Sequence, residues 1–346
     1  MFAKLCATAM TIGPAISGGV VVWDRLTALQ TLDHNPLMKS RSFCLLIGFG
    51  ILLSVFNGRA QDLAGDMGLW KILPGDSKWE MVADGFGFVD ALCADAEGNL
   101  YFSDVTKGTT VFRIGLDGKV VSVFGDAPKV SGLKWGSDGR LYACQGGLKR
   151  IIAFDPAGKI SVIAEDIQPN DLVVSRKGFI YVTETGPKQI TMIDPKGNKR
   201  AVDVGISKPN GITLSPDQST LVVSDYGGTN VWAFRVEADG TLSSKAPYMT
   251  MRAPVEKPDV AGGDGMTTDV AGRYYVATAI GVQMFDATGR MGGVLPKPQN
   301  KGLVSVAFAG PDLSYLYAAC SDKIYRRKTK TKGVLFFQAP VEEKRE

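Results

Sequence analysis

The sequence predicts an all-β protein, a six-bladed β-propeller with four-stranded antiparallel blades around a central channel. Three observations carry this. One unit of about 40 residues recurs six times along the chain. Each copy reads as short strands divided by turns rich in Gly, Asp and Pro. No stretch of about ten residues after residue 61 sustains the apolar spacing of three and four that an amphipathic helix requires.

The copies run in order as DALCADAEGNLYFSD from Asp90, SGLKWGSDGRLYACQ from Ser131, NDLVVSRKGFIYVTE from Asn170, NGITLSPDQSTLVVSD from Asn210, DGMTTDVAGRYYVAT from Asp264 and SVAFAGPDLSYLYAAC from Ser305. Their starts lie 41, 39, 40, 54 and 41 residues apart, and the long interval holds the insertion YMTMRAPVEKPDVAGG. Each begins with an apolar strand, turns through AEG, SDG or SPD, and returns as a second strand such as LYFSD or IYVTE. A third strand follows in most copies (VFRIG, IIAFD, ITMID, VWAFR, VQMFD), then a turn such as LDGK or PKGN, and usually a fourth strand (VVSVF, ISVIA).

The segment KWEMVAD, residues 78–84, stands before the first copy as a fourth strand stands before the others. It is expected to close the ring by pairing with the last blade, with GVLFF (333–337) competing for the same edge; closure removes an exposed strand edge. The propeller is thus expected over 78–338, with a lead-in at 61–77 and a tail at 339–346. The basic run KIYRRKTKTK (323–332) reads as a solvated strand and turn.

Upstream, MKSRSFCLLIGFGILLSVFNGRA (38–60) has basic Lys39 and Arg41, an apolar run from Cys44 to Phe56, and small Gly58 and Ala60 at its end. This is the pattern of a secretory signal peptide starting at Met38, with an apolar run short for a membrane span. Residues 1–37 would then be an upstream extension that is not part of the natural product; the alternative is a real extension that makes the run an anchor. A periplasmic or secreted protein, with no membrane association after cleavage, is the expectation.

The net charge of +4 falls to about +1 once residues 1–60 are set aside, which gives no electrostatic reason to expect a nucleic-acid partner. Cys93, Cys144 and Cys320 remain after the leader, an odd number that suits buried apolar residues better than a disulfide framework. The only histidine is His34, in the same discarded region. Without histidine no Ser-His-Asp triad, Cys-His dyad or histidine-bound zinc site can form, so any catalysis rests on carboxylates, amides, hydroxyls, lysine or an oxygen-bound cation.

In a propeller the innermost strands start at one rim of the channel, so Asp90, Ser131, Asn170, Asn210, Asp264 and Ser305 should face one axial pocket. Every one carries a side-chain oxygen, and four are Asp or Asn, the ligands a hard cation such as Ca2+ accepts. Turn preference alone would also favour these residue types, and Asn210-Gly211 could be simply a tight turn. The second strands end at the same face, at Asp104, Gln145, Glu184, Asp225, Thr278 and Cys320. Their acids could serve further ligation, sugar hydroxyls or proton transfer, or could be merely solvated loop acids.

The motifs GNLYFSD (98–104), PNDLVV (169–174), PNGITLSPD (209–217) and GDGMTTD (263–269) make the chain resemble the gluconolactonase and regucalcin family of six-bladed propellers over about residues 78–338. The resemblance implies one divalent cation, Ca2+ foremost with Mg2+, Mn2+ or Zn2+ as alternatives, and hydrolysis of sugar lactones. It places the metal Asn at Asn210, the metal Asp at Asp264, and at Asn170 the Asn that contacts substrate or reaches the metal through water. The first-blade ligand falls on Asp90, where Asp90-Ala91-Leu92 replaces the family's Glu-Gly-Pro. The shorter Asp requires the cation to shift by about 1 Å or to bind through a water, which Ca2+ tolerates. A second departure is Gln168, where sugar-lactonase relatives can carry Arg.

On this reading the cation polarises the lactone carbonyl for attack by water, Asp264 is both ligand and proton acceptor, and Glu184 or Asp225 is a substitute base. Substrate contacts are assigned to Asn170, Ser131, Glu184, Asp225, Asp104 and Gln145. The partner is a small lactone or ester, and a monomer is expected. Two other readings stay open: a secreted propeller that binds a ligand around a structural metal, and an aryl-ester or phosphotriester hydrolase using the same site.

Overall fold

The computed structural model describes residues 61–62 and 68–339. The expectations for residues 1–37, for the leader at 38–60 and for the tail beyond 339 lie outside the described residues. Those described form six antiparallel sheets, five of four strands and one of five. Their innermost strands are Val89–Ala94, Val130–Trp135, Leu172–Val174, Pro209–Leu214, Met266–Thr268 and Leu303–Ala309, which open blades 1 to 6 in chain order.

Burial follows strand position. In blade 1 the second strand, Leu100–Asp104, is buried throughout, while the fourth, Val120–Phe124, is largely exposed. An inner strand packs on both faces against neighbouring blades, so it is apolar continuously instead of in alternation. Aromatic residues fill the seams: Tyr101 meets Trp135 edge-on at 5.3 Å and Phe124 stacks on Phe154 at 4.9 Å, both between blades 1 and 2. Tyr275 meets Phe308 at 5.1 Å between blades 5 and 6. Full burial of one such side chain contributes about 1.5–3 kcal/mol, so the seams between blades are a main source of stability.

The ring closes as the sequence suggests. Strand Glu80–Ala83 pairs antiparallel with Lys323–Lys328, setting Glu80 opposite Arg326 and Met81 opposite Tyr325. With that edge taken, GVLFF does not pair there. The chain instead crosses the far end of the channel, where Val334, Leu335, Phe336 and Phe337 line an apolar cavity with inner-strand residues such as Leu92, Val173 and Phe308. The basic run is less solvated than expected, since Arg327 is buried and donates to the Ser77 carbonyl at 2.7 Å. A further strand, Gln61–Asp62, adds to the edge of blade 5 by pairing with Met291–Pro296, which the sequence pattern did not reveal.

One buried carboxylate anchors the crossing segment. Asp269 accepts from Arg273 at 2.8 Å, from the Tyr275 hydroxyl at 2.9 Å and from the Thr331 hydroxyl at 3.1 Å. Its backbone bridges Gly333, and Gln218 Nε2 holds the Phe336 carbonyl at 2.8 Å. Asp269→Ala would leave a half-buried guanidinium without its partner and is expected to cost about 3–5 kcal/mol in urea unfolding. Tyr275→Phe, which removes a single hydrogen bond, should cost only about 1 kcal/mol in the same measurement.

Candidate active site

The six inner strands bring residues at or just before their N-terminal ends to one cavity. Asp90, Ser131, Asn170, Asn210, Asp264 and Ser305 all line it, joined by Ala91, Asp171 and Gly265. The space they leave is about that of a single water or ion. The one acid in this group that the sequence reading did not single out is Asp171, next to Asn170 in the PNDLVV motif. Its apolar neighbours made it read as a strand residue, although a second acid beside a ring position is itself a signal.

A small residue directly after the ring residue in blades 1, 2, 4 and 5 (Ala91, Gly132, Gly211 and Gly265) allows the convergence. A Cβ on Gly211 would sit 2.2 Å from the Asp264 carbonyl oxygen, one on Gly132 3.0 Å from Asp171 Cα, and one on Gly265 2.9 Å from the Val304 carbonyl oxygen. Gly211 is therefore required by the approach of the next strand. It is not among the positive-φ residues, so the turn reading of Asn210-Gly211 does not hold. Blade 1 solves the same problem differently: Ala91 occupies the position at φ 60°, a left-handed conformation that costs a non-glycine residue about 1–2 kcal/mol.

Hydroxyls fasten the strand starts at five of the six junctions, and between blades 5 and 6 the Gly265 N–H donates to the Val304 carbonyl at 2.8 Å. Ser103 donates to the Val130 carbonyl at 2.6 Å, Ser131 to Asn170 at 2.7 Å, Thr183 to Asn210 at 2.5 Å and Ser224 to Asp264 at 3.0 Å. Ser305 closes the circle by accepting from Leu92 N–H at 3.2 Å. Ser131 and Ser305 thus face the cavity with hydroxyls already engaged between blades. Asp90, Asp171 and Asp264 each accept from the N–H of the following residue, at 2.7, 2.8 and 3.0 Å. The Asn210 side chain also hydrogen-bonds the Asp264 carboxyl, which partly offsets the rise that burial imposes on it.

The second-strand ends do something else. Asp104 accepts from the N–H groups of Gly87, Phe88 and Lys107 at 2.7, 3.1 and 3.1 Å. Glu184 takes Gln168 N–H at 2.7 Å together with Gln189 and Thr191, and Asp225 takes Lys208 and Gly227 N–H at 2.9 and 3.0 Å. Gln145 bonds Arg150 at 2.7 Å and the Pro128 carbonyl at 3.4 Å. All four side chains are buried and none lines the cavity. The structure thus places these four side chains, assigned to substrate contacts from the sequence, against the rim loops and not among the cavity-lining residues, because a buried acid at a strand end finds loop N–H donors close by.

The centre is electrostatically strained. Burial, then repulsion from Asp171, pushes the Asp90 carboxyl up; burial, then repulsion from Asp90, pushes Asp264 well above the usual range; and burial raises Asp171. Lys134 opposes the shift at Asp90 and Asp171. Among the described residues no three Asp, Glu, His or Cys side chains form a metal-ligand group, so a cation here would depend on amide oxygens as well as carboxylates. The donor set of Asp90, Asn170, Asn210 and Asp264 is oxygen throughout, which fits one hard divalent cation.

Two outcomes test this geometry. Gly211→Ala forces a Cβ against the Asp264 backbone and should cost about 1–3 kcal/mol in denaturant unfolding, with loss of Ca2+ binding by calorimetry. Carboxyls with raised folded-state pKa keep protons that the unfolded chain releases, so the metal-free fold should lose stability as pH rises above the ordinary value of 3.8. A saturating divalent cation that binds these carboxylates should then raise the melting temperature by roughly 5 °C or more, with a larger gain at alkaline than at acidic pH in thermal scans.

Comparison with known proteins identifies the family. A family model described as the SMP-30/gluconolactonase/LRE-like region matches residues 90–321. The gluconolactonase of Zymomonas mobilis is 28% identical over 232 residues, 60% of this chain and 65% of that enzyme, so the match spans slightly less than two thirds of its length. The pentonolactonase of Haloferax volcanii is 26% identical over 247 residues, 66% of this chain and 82% of that one. Among solved structures, a calcium-binding regucalcin from Agrobacterium tumefaciens aligns with a TM-score of 0.62 at 18% identity, covering 74% of this chain and 96% of that one, which shows a common fold. Since the matched residues run from Asp90 past Ser305 and take in all six ring positions, the chain belongs to the SMP-30/gluconolactonase/LRE-like family.

Proposed function

We propose that the protein is a cation-dependent hydrolase of sugar lactones. The observation that carries this reading is the convergence of Asp90, Asn170, Asp171, Asn210 and Asp264 on one small cavity of a propeller whose relatives include two lactonases. Asp90, Asn210 and Asp264 would hold one divalent cation, with Asn170 contributing directly or through water. Calcium is the first candidate, given the all-oxygen donors and the calcium-binding structural neighbour. Such an ion, when bound, supplies Lewis-acid polarisation of the lactone carbonyl.

The chain supplies position and proton transfer. The Asn170 carboxamide presents donors at the mouth for a ring hydroxyl or the carbonyl oxygen of the substrate. Asp264, with its proton affinity raised by burial and neighbouring acids, is placed to take the proton from an attacking water. Glu184 has both oxygens bonded, by Gln168 N–H and by the Gln189 and Thr191 side chains, Asp225 is bonded through Oδ1, and neither is among the residues that line the cavity. Asp171 is the carboxylate that the cavity offers in their place. This division explains how a chain whose only histidine is His34 can hydrolyse an ester-like bond. The leader pattern at 38–60 supports action outside the cytoplasm, and N-terminal sequencing of the mature protein would test it.

Turnover of a panel of aldonolactones, followed by pH-stat with and without chelator, tests the reading. Activity should vanish with chelator and return with Ca2+, and Asp264→Ala and Asn210→Ala should each lose about 100-fold or more in kcat/KM while retaining native circular dichroism. Chelator-insensitive turnover, or full activity in both variants, would refute it.

A further inference from the structure

The inference concerns the rim immediately above the cavity and rests on the lactonase reading. Two residues before the ring residue, at the same face as the cavity, blades 2, 3 and 4 hold Lys129, Gln168 and Lys208. Each lies over a glycine in the loop that follows its blade's second strand. A Cβ on Gly147 would sit 2.9 Å from Lys129 Cδ, one on Gly186 3.0 Å from Gln168 Oε1, and one on Gly227 3.1 Å from Lys208 Cγ. The same packing therefore recurs in three consecutive blades, with the long side chain laid across a glycine that gives it room.

The backbone at these positions is held by the bracing side chains. Glu184 fixes the Gln168 N–H, Asp225 fixes the Lys208 N–H, and Gln145 reaches the carbonyl of Pro128, next to Lys129. Lys129 is held at φ 55°, a conformation that costs a lysine energy and that Gly would adopt freely. Both lysines are exposed, and among the described residues neither ammonium forms an ion pair. Lys208 lies 6.0 Å from the ring of exposed Tyr226, which offers a flat apolar surface at the same rim. At about 3.8 Å per residue, a side chain two residues from a ring position can reach a ligand seated on the cavity.

We infer that Lys129 and Lys208, flanking Gln168, form a cationic clamp at the mouth that selects sugar lactones carrying an anionic substituent, a carboxylate or a phosphate, remote from the ring ester. Long-range attraction to the clamp also speeds encounter with an anionic substrate, despite the acidic centre below.

The experiment compares kcat/KM for glucarolactone and phosphogluconolactone with that for neutral gluconolactone. For the wild type, at least one anionic lactone should be preferred, and that preference should shrink as salt is raised. The preference ratio should fall about 2- to 5-fold in Lys129→Gln and in Lys208→Gln, and about 10-fold in the double variant, whereas Lys196→Gln in a turn at the opposite face should leave it unchanged. A ratio that stays within about 2-fold of wild type in the double variant overturns the clamp while leaving the lactonase reading intact. If no lactone is turned over, calorimetry with glucarate decides separately. Binding to the wild type that weakens in the double variant supports the clamp, and equal or absent binding overturns it.

Discussion

The contact on which the rest of this structure depends is backbone against backbone at the top of the channel. Gly132, Gly211 and Gly265 let one strand start lie against the next with no side chain between them, and a Cβ at any of the three would collide with the neighbouring strand. Only under that approach do oxygens from separate blades share a space of about one ion. Serine and threonine hydroxyls of blades 1 to 4 then reach the carbonyl at the next strand start, which fixes spacing as well as direction. Ala91 shows how strong the constraint is, since the chain accepts a left-handed alanine to preserve it.

Two rings of polar side chains at the same face have opposite tasks. The inner ring concentrates Asp90, Asp171 and Asp264 in a buried setting, where repulsion and lost hydration raise their proton affinity. The outer ring engages its acids within the protein: loop N–H groups hold Asp104, Glu184 Oε2 and Asp225 Oδ1, and Gln189 and Thr191 hold Glu184 Oε1. The first is a site poised for a positive charge. The second is the frame that holds the rim residues over it, and the rigidity of that frame is what lets exposed side chains such as Lys208 occupy a defined place.

The far end of the channel is treated as core. Val334 to Phe337 cross it and meet inner-strand side chains, anchored by Asp269 through Arg273, Tyr275 and Thr331. Polar chemistry is therefore gathered at one end and apolar packing at the other, along strands only a few residues long.

Much of this is legible in the sequence. The repeat of about 40 residues, the four-strand pattern and the side-chain oxygens in register depend on local alternation and turn chemistry, and these survive in a linear reading. The closing strand at 78–84 was readable for the same reason, because it occupies a repeat position. The roles of Asp104, Gln145, Glu184 and Asp225 were not, since a strand-end acid looks the same whether its oxygens face an axis or a loop. The path of GVLFF was also undecided, as it and residues 78–84 competed for the same edge in a linear reading; the Asp269 and Gln218 contacts hold it across the channel. By itself the sequence determined the blades and which residues stand first in each, because strand propensity and register are local properties. Tertiary structure alone decided which oxygens remain free for chemistry, because that depends on donors that residues 15 to 40 positions away bring to them.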